Sequence, residues 1–277
     1  MDFGGLSIPW AFKPLALAQA GFLALAYLAY VGPLRRRLAG PDLLWVYPVH
    51  PRQVGCFLTA LLLIAAFEVT PLDELASRYS FAVHMVQHLL YTTVVPILIL
   101  LGLPAWLVRR LISRVHRMVG GDFLGRVFRV VTHPLVAFGA FNGGLVFWHL
   151  PQYYGLVHES SFYHLLQHIT FLGGALLVWW PVVGPLPEWR LPWLLRLGYL
   201  FALSIIPGVI GAFITFSGHL LYPYYGTTPK PFGLDPLTDQ LIGGLIMKVF
   251  GSVPLWVVVG VDFMVTFARE EQGIPEA

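Results

Sequence analysis

Two segments of the chain repeat one arrangement of side chains, His84-Met-Val-Gln87-His88 and His164-Leu-Leu-Gln167-His168. Residues four apart share one helix face about 6 Å apart along the axis, so each pair can turn two imidazoles toward one ion or one cofactor edge. Neutral imidazole suits zinc, copper, iron and nickel. A glutamine stands at the same internal place in both pairs, where it could fix a ring tautomer from outside the coordination shell. A hydrolytic zinc helix of the HExxH kind carries a glutamate base between its histidines. Here the intervening residues are Met-Val-Gln and Leu-Leu-Gln, and that carboxylate is missing.

Other candidate ligands come from elsewhere in the chain. His149 lies in Phe147-Trp148-His149-Leu150-Pro151, His158 and His219 fall between apolar runs, and Asp239-Gln240 opens the last run with Met247 about two turns further on. Taken singly, His158 and His219 also read as ordinary interfacial residues. A thioether from Met247 or Met85 beside imidazole would favour Cu(I), so copper is the first metal expected and zinc the second. The single cysteine, Cys56, excludes a disulfide framework and a thiolate zinc site. Haem b is a further alternative, because histidines on facing membrane helices also serve as axial ligands. The glycines at 143–144, 173–174 and 243–244 would give it room, although they read first as close-packing positions. The bland alternative is a structural polar network of the four paired imidazoles. Lys248, inside the last run, is a functional candidate with Glu68 as its suggested partner. Trp179, Trp180, Tyr222, Tyr224 and Tyr225 read as interfacial belt residues without chemistry.

The elements that must position these groups are apolar. The 277 residues are 57% hydrophobic and 11% charged, against a usual charged share of roughly 25%. Repeated runs near 20 residues are each long enough to cross about 30 Å of hydrocarbon. The expected spans are 14–33, 52–68, 81–101, 132–149, 162–181, 195–217 and 240–267, in one integral membrane domain covering 1–277. Proline and glycine punctuate the joints, as at Gly32-Pro33, Pro48 to Pro51, Gly102-Leu103-Pro104, Pro181 to Pro187 and Pro223 to Gly233. The first run lacks a basic leader and a cleavage site and is expected to be retained. The fold class is therefore all-α, a polytopic transmembrane bundle of about seven spans.

Arginines gather in alternate connections: Arg35, Arg36, Arg37 and Arg52, then Arg109, Arg110, Arg114, Arg117, Arg126 and Arg129, then Arg190 and Arg196, with Arg269 after the last span. The other side has Lys13, Arg78 and Lys230. The positive-inside rule then places the N-terminus outside and the C-terminus in the cytoplasm. Seven of the ten histidines fall on the outer side, and the two paired motifs lie at one depth because their spans run in the same direction. The stretch 107–119 is expected to lie on the cytoplasmic membrane surface with a basic face. Scattered in this way, the charge of +3 gives no footprint for nucleic acid.

His84 to His88 followed by Leu101-Gly-Leu-Pro104, then FWHLP at 147–151, HLLQHITF at 164–171, WWPVVGP at 179–185 and LTDQLIGGLIMK at 237–248, together resemble the CtaG family of assembly factors for caa3-type cytochrome c oxidase. The resemblance implies a non-enzymatic role in the bacterial plasma membrane, with subunits of a haem-copper oxidase as partners and copper as the metal handled. The competing expectations are a haem-bearing electron carrier and a metal transporter. The oligomeric state is open.

Overall fold

The structure is a computed structural model of the chain, and it describes residues 1–8, 10, 13–35, 37, 49–119 and 123–271. Arg36 and Pro48 fall outside these. Among the described residues the chain is helical, with only an isolated bridge between Asp2 and Ser7. Six helices are long and apolar enough to cross a membrane: α1 (Pro14–Val31), α2 (Pro51–Val69), α3 (Phe81–Gly102), α8 (Ser161–Val183), α9 (Trp193–Thr215) and α10 (Pro236–Ala268). Between α3 and α8 lie α4 (Ala105–Val119), α5 (Phe123–Val131), α6 (Pro134–His149) and α7 (Pro151–Glu159). Helix α6 is short for a span by itself. Together with α5, from which it is bent by 63°, it forms a bent pair that is either a broken span or a re-entrant loop, so the structure has six to seven candidate spans against the expected count of about seven.

Proline at the first turn starts α1, α2, α6, α7 and α10. Its fixed φ suits that position, and the N–H it lacks would have no partner there. Helices α3, α8, α6, α9 and α10 pack in sequence into a closed ring, α10 returning to α3, while α2 packs on α3 from outside and α1 on α2. The two helices that carry the His-x-x-Gln-His pairs are thus the most enclosed, with 56% of α3 and 44% of α8 buried against 6% of α1. That is why imidazoles on them sit inside the bundle and not against lipid.

One close crossing helps to set the ring. A Cβ on Gly244 would lie 2.7 Å from the Thr215 backbone nitrogen, and one on Gly211 would lie 2.8 Å from the Gly244 carbonyl. Helices α9 and α10 therefore meet backbone to backbone there. Gly143, Gly144 and Gly173, expected to pack closely too, have no neighbour in that position.

Helix α3 contains Pro96, which cannot donate to the carbonyl four residues back, that of Thr92. The turn 90–94 widens to π-helical geometry just before it. The Trp179 indole N–H of α8 supplies the missing donor to the Thr92 carbonyl at 2.9 Å. Trp179 and Trp180 are accordingly core residues, 1% and 8% exposed, and the belt expected for them is not seen.

The bundle has two unlike ends. At the arginine end an apolar cluster including Leu100, Phe141, Val178, Leu203 and Leu255 fills the interior, and Arg109 of α4 pairs with Glu188 at 2.9 Å. At the other end the N-termini of α3, α8 and α10 converge with α7 and the loop 217–235. There the core is interrupted by histidines.

Candidate metal centre

Six imidazoles from four helices form one continuous set. His84 and His88 come from α3, His149 ends α6, His158 belongs to α7, and His164 and His168 come from α8. Within each pair the ring centroids are 4.1 Å apart on α3 and 4.4 Å apart on α8. Between helices His84 lies 6.2 Å from His164 and 6.1 Å from His158, and His88 lies 6.0 Å from His168 and 6.1 Å from His149. The expectation that the two paired motifs meet at one depth is thereby realised, with His149 and His158 joining them.

Hydrogen bonding assigns the ring protons on α3. The buried Tyr225 hydroxyl donates its one hydrogen to the Ala76 carbonyl at 2.9 Å, because a carbonyl can only accept. With that hydrogen on the carbonyl, the 3.1 Å contact with His84 Nδ1 fits the tautomer in which the imidazole donates. His84 Nε2 is left with a lone pair, and His88 Nε2, 2.7 Å away, must carry the hydrogen between them. His88 Nδ1 is therefore an unprotonated nitrogen, and it is buried without a partner. His149 is set in the same way: Nδ1 donates to the Leu145 carbonyl at 2.7 Å, and Nε2 is a buried lone pair without a partner. A ring whose other N–H is tied to protein oxygen is the usual form of a metal-binding histidine.

On the α8 side, Nε2 of His158, His164 and His168 is likewise buried and unpartnered. His168 Nδ1 stands 3.8 Å from the Glu68 carboxylate, which also accepts from the Tyr91 hydroxyl. The His158 ring stacks on Tyr224, centroids 4.0 Å apart, and hydrogen-bonds the Ser77 backbone. Burial first, and then neighbouring His164, push the His158 imidazole down to about 4 against that hydrogen bond. It is neutral at any ordinary cellular pH, as a ligand must be.

Two cavities flank the histidines. The larger, about 440 Å³, is polar and lined by Glu68, Asp73, Glu74, His158, His164 and His168 among others. Lys13, from the segment before α1, reaches into it and hydrogen-bonds Asp73, which also accepts from Gln87. Burial alone would raise the Asp73 carboxyl, but Lys13 and Gln87 outweigh it and hold it below the usual carboxylate range. The smaller cavity, about 50 Å³, is mostly apolar and is lined by His88, His149, Met85, Met247 and Thr92, with Trp179 near its floor.

Three of the expected residues do other work or stand apart. Asp239 is fully buried, and its carboxylate accepts from Ser80 Oγ at 2.7 Å, from the Phe81 and Ala82 backbone N–H groups at 2.8 and 3.2 Å, and from Lys230 at 3.4 Å. It caps the N-terminus of α3 from α10, where the helix dipole favours an anion, and leaves no lone pair aimed at the histidines. His219 is exposed in the turn after α9 and bonds Ser217 and Gln240 through its backbone. Lys248 sits 5.0 Å over the Phe216 ring and not beside Glu68. Gln87 turns to Asp73 and Gln167 has neither amide atom partnered, so the tautomers are fixed by Tyr225 and the Leu145 carbonyl instead.

Tyr225 is the residue that sequence reading assigned no chemistry. It is 1% exposed because the loop 222–226 folds back over the site. Among the described residues, no three His, Cys, Asp or Glu groups already converge on one point as ligands of an ion. The rings meet pairwise, edge to face. A zinc-type bond of about 2.0–2.1 Å puts a ring centre roughly 3 Å from the ion, so two ligands of one ion have centroids about 5 Å apart at a tetrahedral angle and about 6 Å when opposite. Separations of 6.0–6.2 Å are within reach of that range by ring rotation.

The sequence model of the family described as cytochrome c oxidase caa3 assembly factor matches residues 25–269. An uncharacterized protein of Mycobacterium leprae (strain TN) is 26% identical over 96% of this chain and 40% of its own length. Uncharacterized proteins of Mycobacterium bovis and Mycobacterium tuberculosis are also 26% identical over 96% of this chain. The chain spans 40% of the length of these curated relatives. No solved structure matches it.

Proposed function

The chain belongs to the caa3-type cytochrome c oxidase assembly factor family, and we propose that it serves that assembly by holding copper at its histidine cluster and presenting it to a haem-copper oxidase subunit. The observation that carries this reading is the set of buried, unpartnered imidazole nitrogens on His88, His149, His158, His164 and His168. A buried polar atom left unsatisfied costs about 1–3 kcal/mol, and a bound cation removes that cost at several of these atoms at once. Imidazole with a thioether nearby is a donor set suited to copper before zinc.

An ion is favoured over haem because the cavity of about 440 Å³ beside the rings is polar and the apolar one is only about 50 Å³, whereas a porphyrin needs a wide apolar slot between helices. Holding and transfer are favoured over transport because the polar groups end near Thr92 and Trp179, beyond which the apolar cluster fills the bundle. In this reading the histidine end faces outward across the bacterial plasma membrane, since the arginines occupy the opposite connections. More nitrogens than one ion requires suit a carrier that must also let go.

The test is genetic. His84, His88, His164 and His168 are replaced together by Ala in the source bacterium, and the oxidase is purified from membranes holding normal amounts of the variant chain. Its copper content is expected to fall. Oxidase with full copper content would overturn the proposal.

A further inference from the structure

The candidate ligand residues separate into two groups that line different cavities. Nε2 of His158, His164 and His168 belongs to residues lining the polar cavity with Glu68 and Asp73. His88 Nδ1 and His149 Nε2 belong to residues lining the small apolar cavity with Met85 and Met247. The rings of His88 and His149 are 4% and 7% exposed and their centroids are 6.1 Å apart. His88 Nε2 is engaged with His84, and its Nδ1 is buried without a partner, which leaves Nδ1 as the nitrogen open to a ligand.

Resting on the copper reading above, we propose that the small cavity is a separate site selective for a soft monovalent cation, Cu(I), with His88 Nδ1, His149 Nε2 and the thioethers of Met85 and Met247 as its ligands. Thioether sulfur is a soft donor that selects Cu(I) over divalent ions, and a mostly apolar lining disfavours a second positive charge. The cavity of about 50 Å³ has room for an ion and a few waters. The polar cavity, by contrast, offers imidazole and carboxylate without sulfur and suits a hydrated or divalent ion. His84 links the two sites, its ring 4.1 Å from that of His88 in the small cavity and 6.2 Å from that of His164 in the polar one.

The test uses two probes on the purified full chain in detergent, Ag(I) as a soft monovalent ion and Zn(II) as an imidazole-seeking divalent one. The variant Met85→Leu/Met247→Leu conserves volume, and His158→Ala/His164→Ala removes ligands only from the polar cavity. Loss of an outer partner alone typically lowers affinity about 10–100-fold, so loss of two thioethers is expected to weaken Ag(I) binding at least about tenfold while Zn(II) binding stays within about twofold. The histidine variant is expected to show the reverse. Ag(I) affinity unchanged in the methionine variant overturns the soft site, and equal losses of both ions overturn the division into two sites. If the unmodified chain binds neither ion, the copper reading itself has failed, an outcome distinct from either.

Discussion

Replacing Tyr225 by Phe deletes one oxygen and leaves the ring that packs among Phe81, Tyr154 and His158. That oxygen contacts His84 Nδ1 at 3.1 Å, donates to the Ala76 carbonyl and lies 3.3 Å from the Tyr154 hydroxyl, and all three partners are buried with it. An orphaned buried donor and acceptor cost about 1–3 kcal/mol each when nothing replaces the bond, although His84 can lower its share by moving its proton to Nε2. That escape has a consequence. His88 must then turn its own proton to Nδ1, the nitrogen proposed as its ligand atom in the small cavity. Metal affinity is expected to drop about 10–100-fold, the usual cost of removing a group that orients a ligand histidine, or about 1.4–2.8 kcal/mol of binding. The assay is competition for Cu(I) against a chromophoric chelator, with thermal unfolding of the metal-free protein measured alongside. A variant that loses stability but keeps full copper affinity would refute the tautomer reasoning, because Tyr225 would then be packing only.

Asp239→Asn should destabilise the chain by about 1–3 kcal/mol, since an amide N–H₂ group would face donors now served by a carboxylate oxygen; thermal unfolding in detergent reads this, and copper affinity should change little. Trp179→Phe leaves the Thr92 carbonyl beside Pro96 without a donor and is expected to cost about as much, with hydrogen exchange rising around 88–96 as the local sign. His158 loses its proton at about 4 in the folded chain against an ordinary 6.5, so between those values the unfolded chain binds more protons. Its contribution to stability is complete above 6.5, declines as pH falls through this window and levels off below about 4. His158→Gln should therefore flatten the acid side of the stability profile, and a profile identical to that of the unaltered chain would count against a buried, neutral His158.

The parts legible in the sequence are those that follow from a period. Apolar runs gave the number of spans, and spacing of four placed His84 with His88 and His164 with His168 on common faces. The identity of what holds the rings was not legible, for a geometric reason. Gln87 and Gln167 each precede a histidine by one residue and are turned about 100° around the helix from it, so they face other neighbours. The group that does fix His84, Tyr225, arrives from a loop 141 positions away, and an aromatic residue near a membrane surface gives no sign of folding inward. Asp239 read as a ligand because it is a carboxylate at the right level; only the meeting of α10 with the first turn of α3 makes it a cap. Pro96 did announce a carbonyl without its donor at Thr92, but nothing in the sequence could identify Trp179 as the residue that supplies one.

The central claim is that the histidine cluster holds copper, and metal analysis of the purified chain tests it most directly. The unaltered protein and the variant with His84, His88, His164 and His168 all changed to Ala are loaded with copper under reducing conditions, freed of excess metal and assayed for copper per chain. The unaltered chain should retain stoichiometric copper with nitrogen, and in the smaller chamber sulfur, in its X-ray absorption spectrum, while the variant retains almost none despite running as the same species on size exclusion. Equal copper in the two proteins would contradict the account.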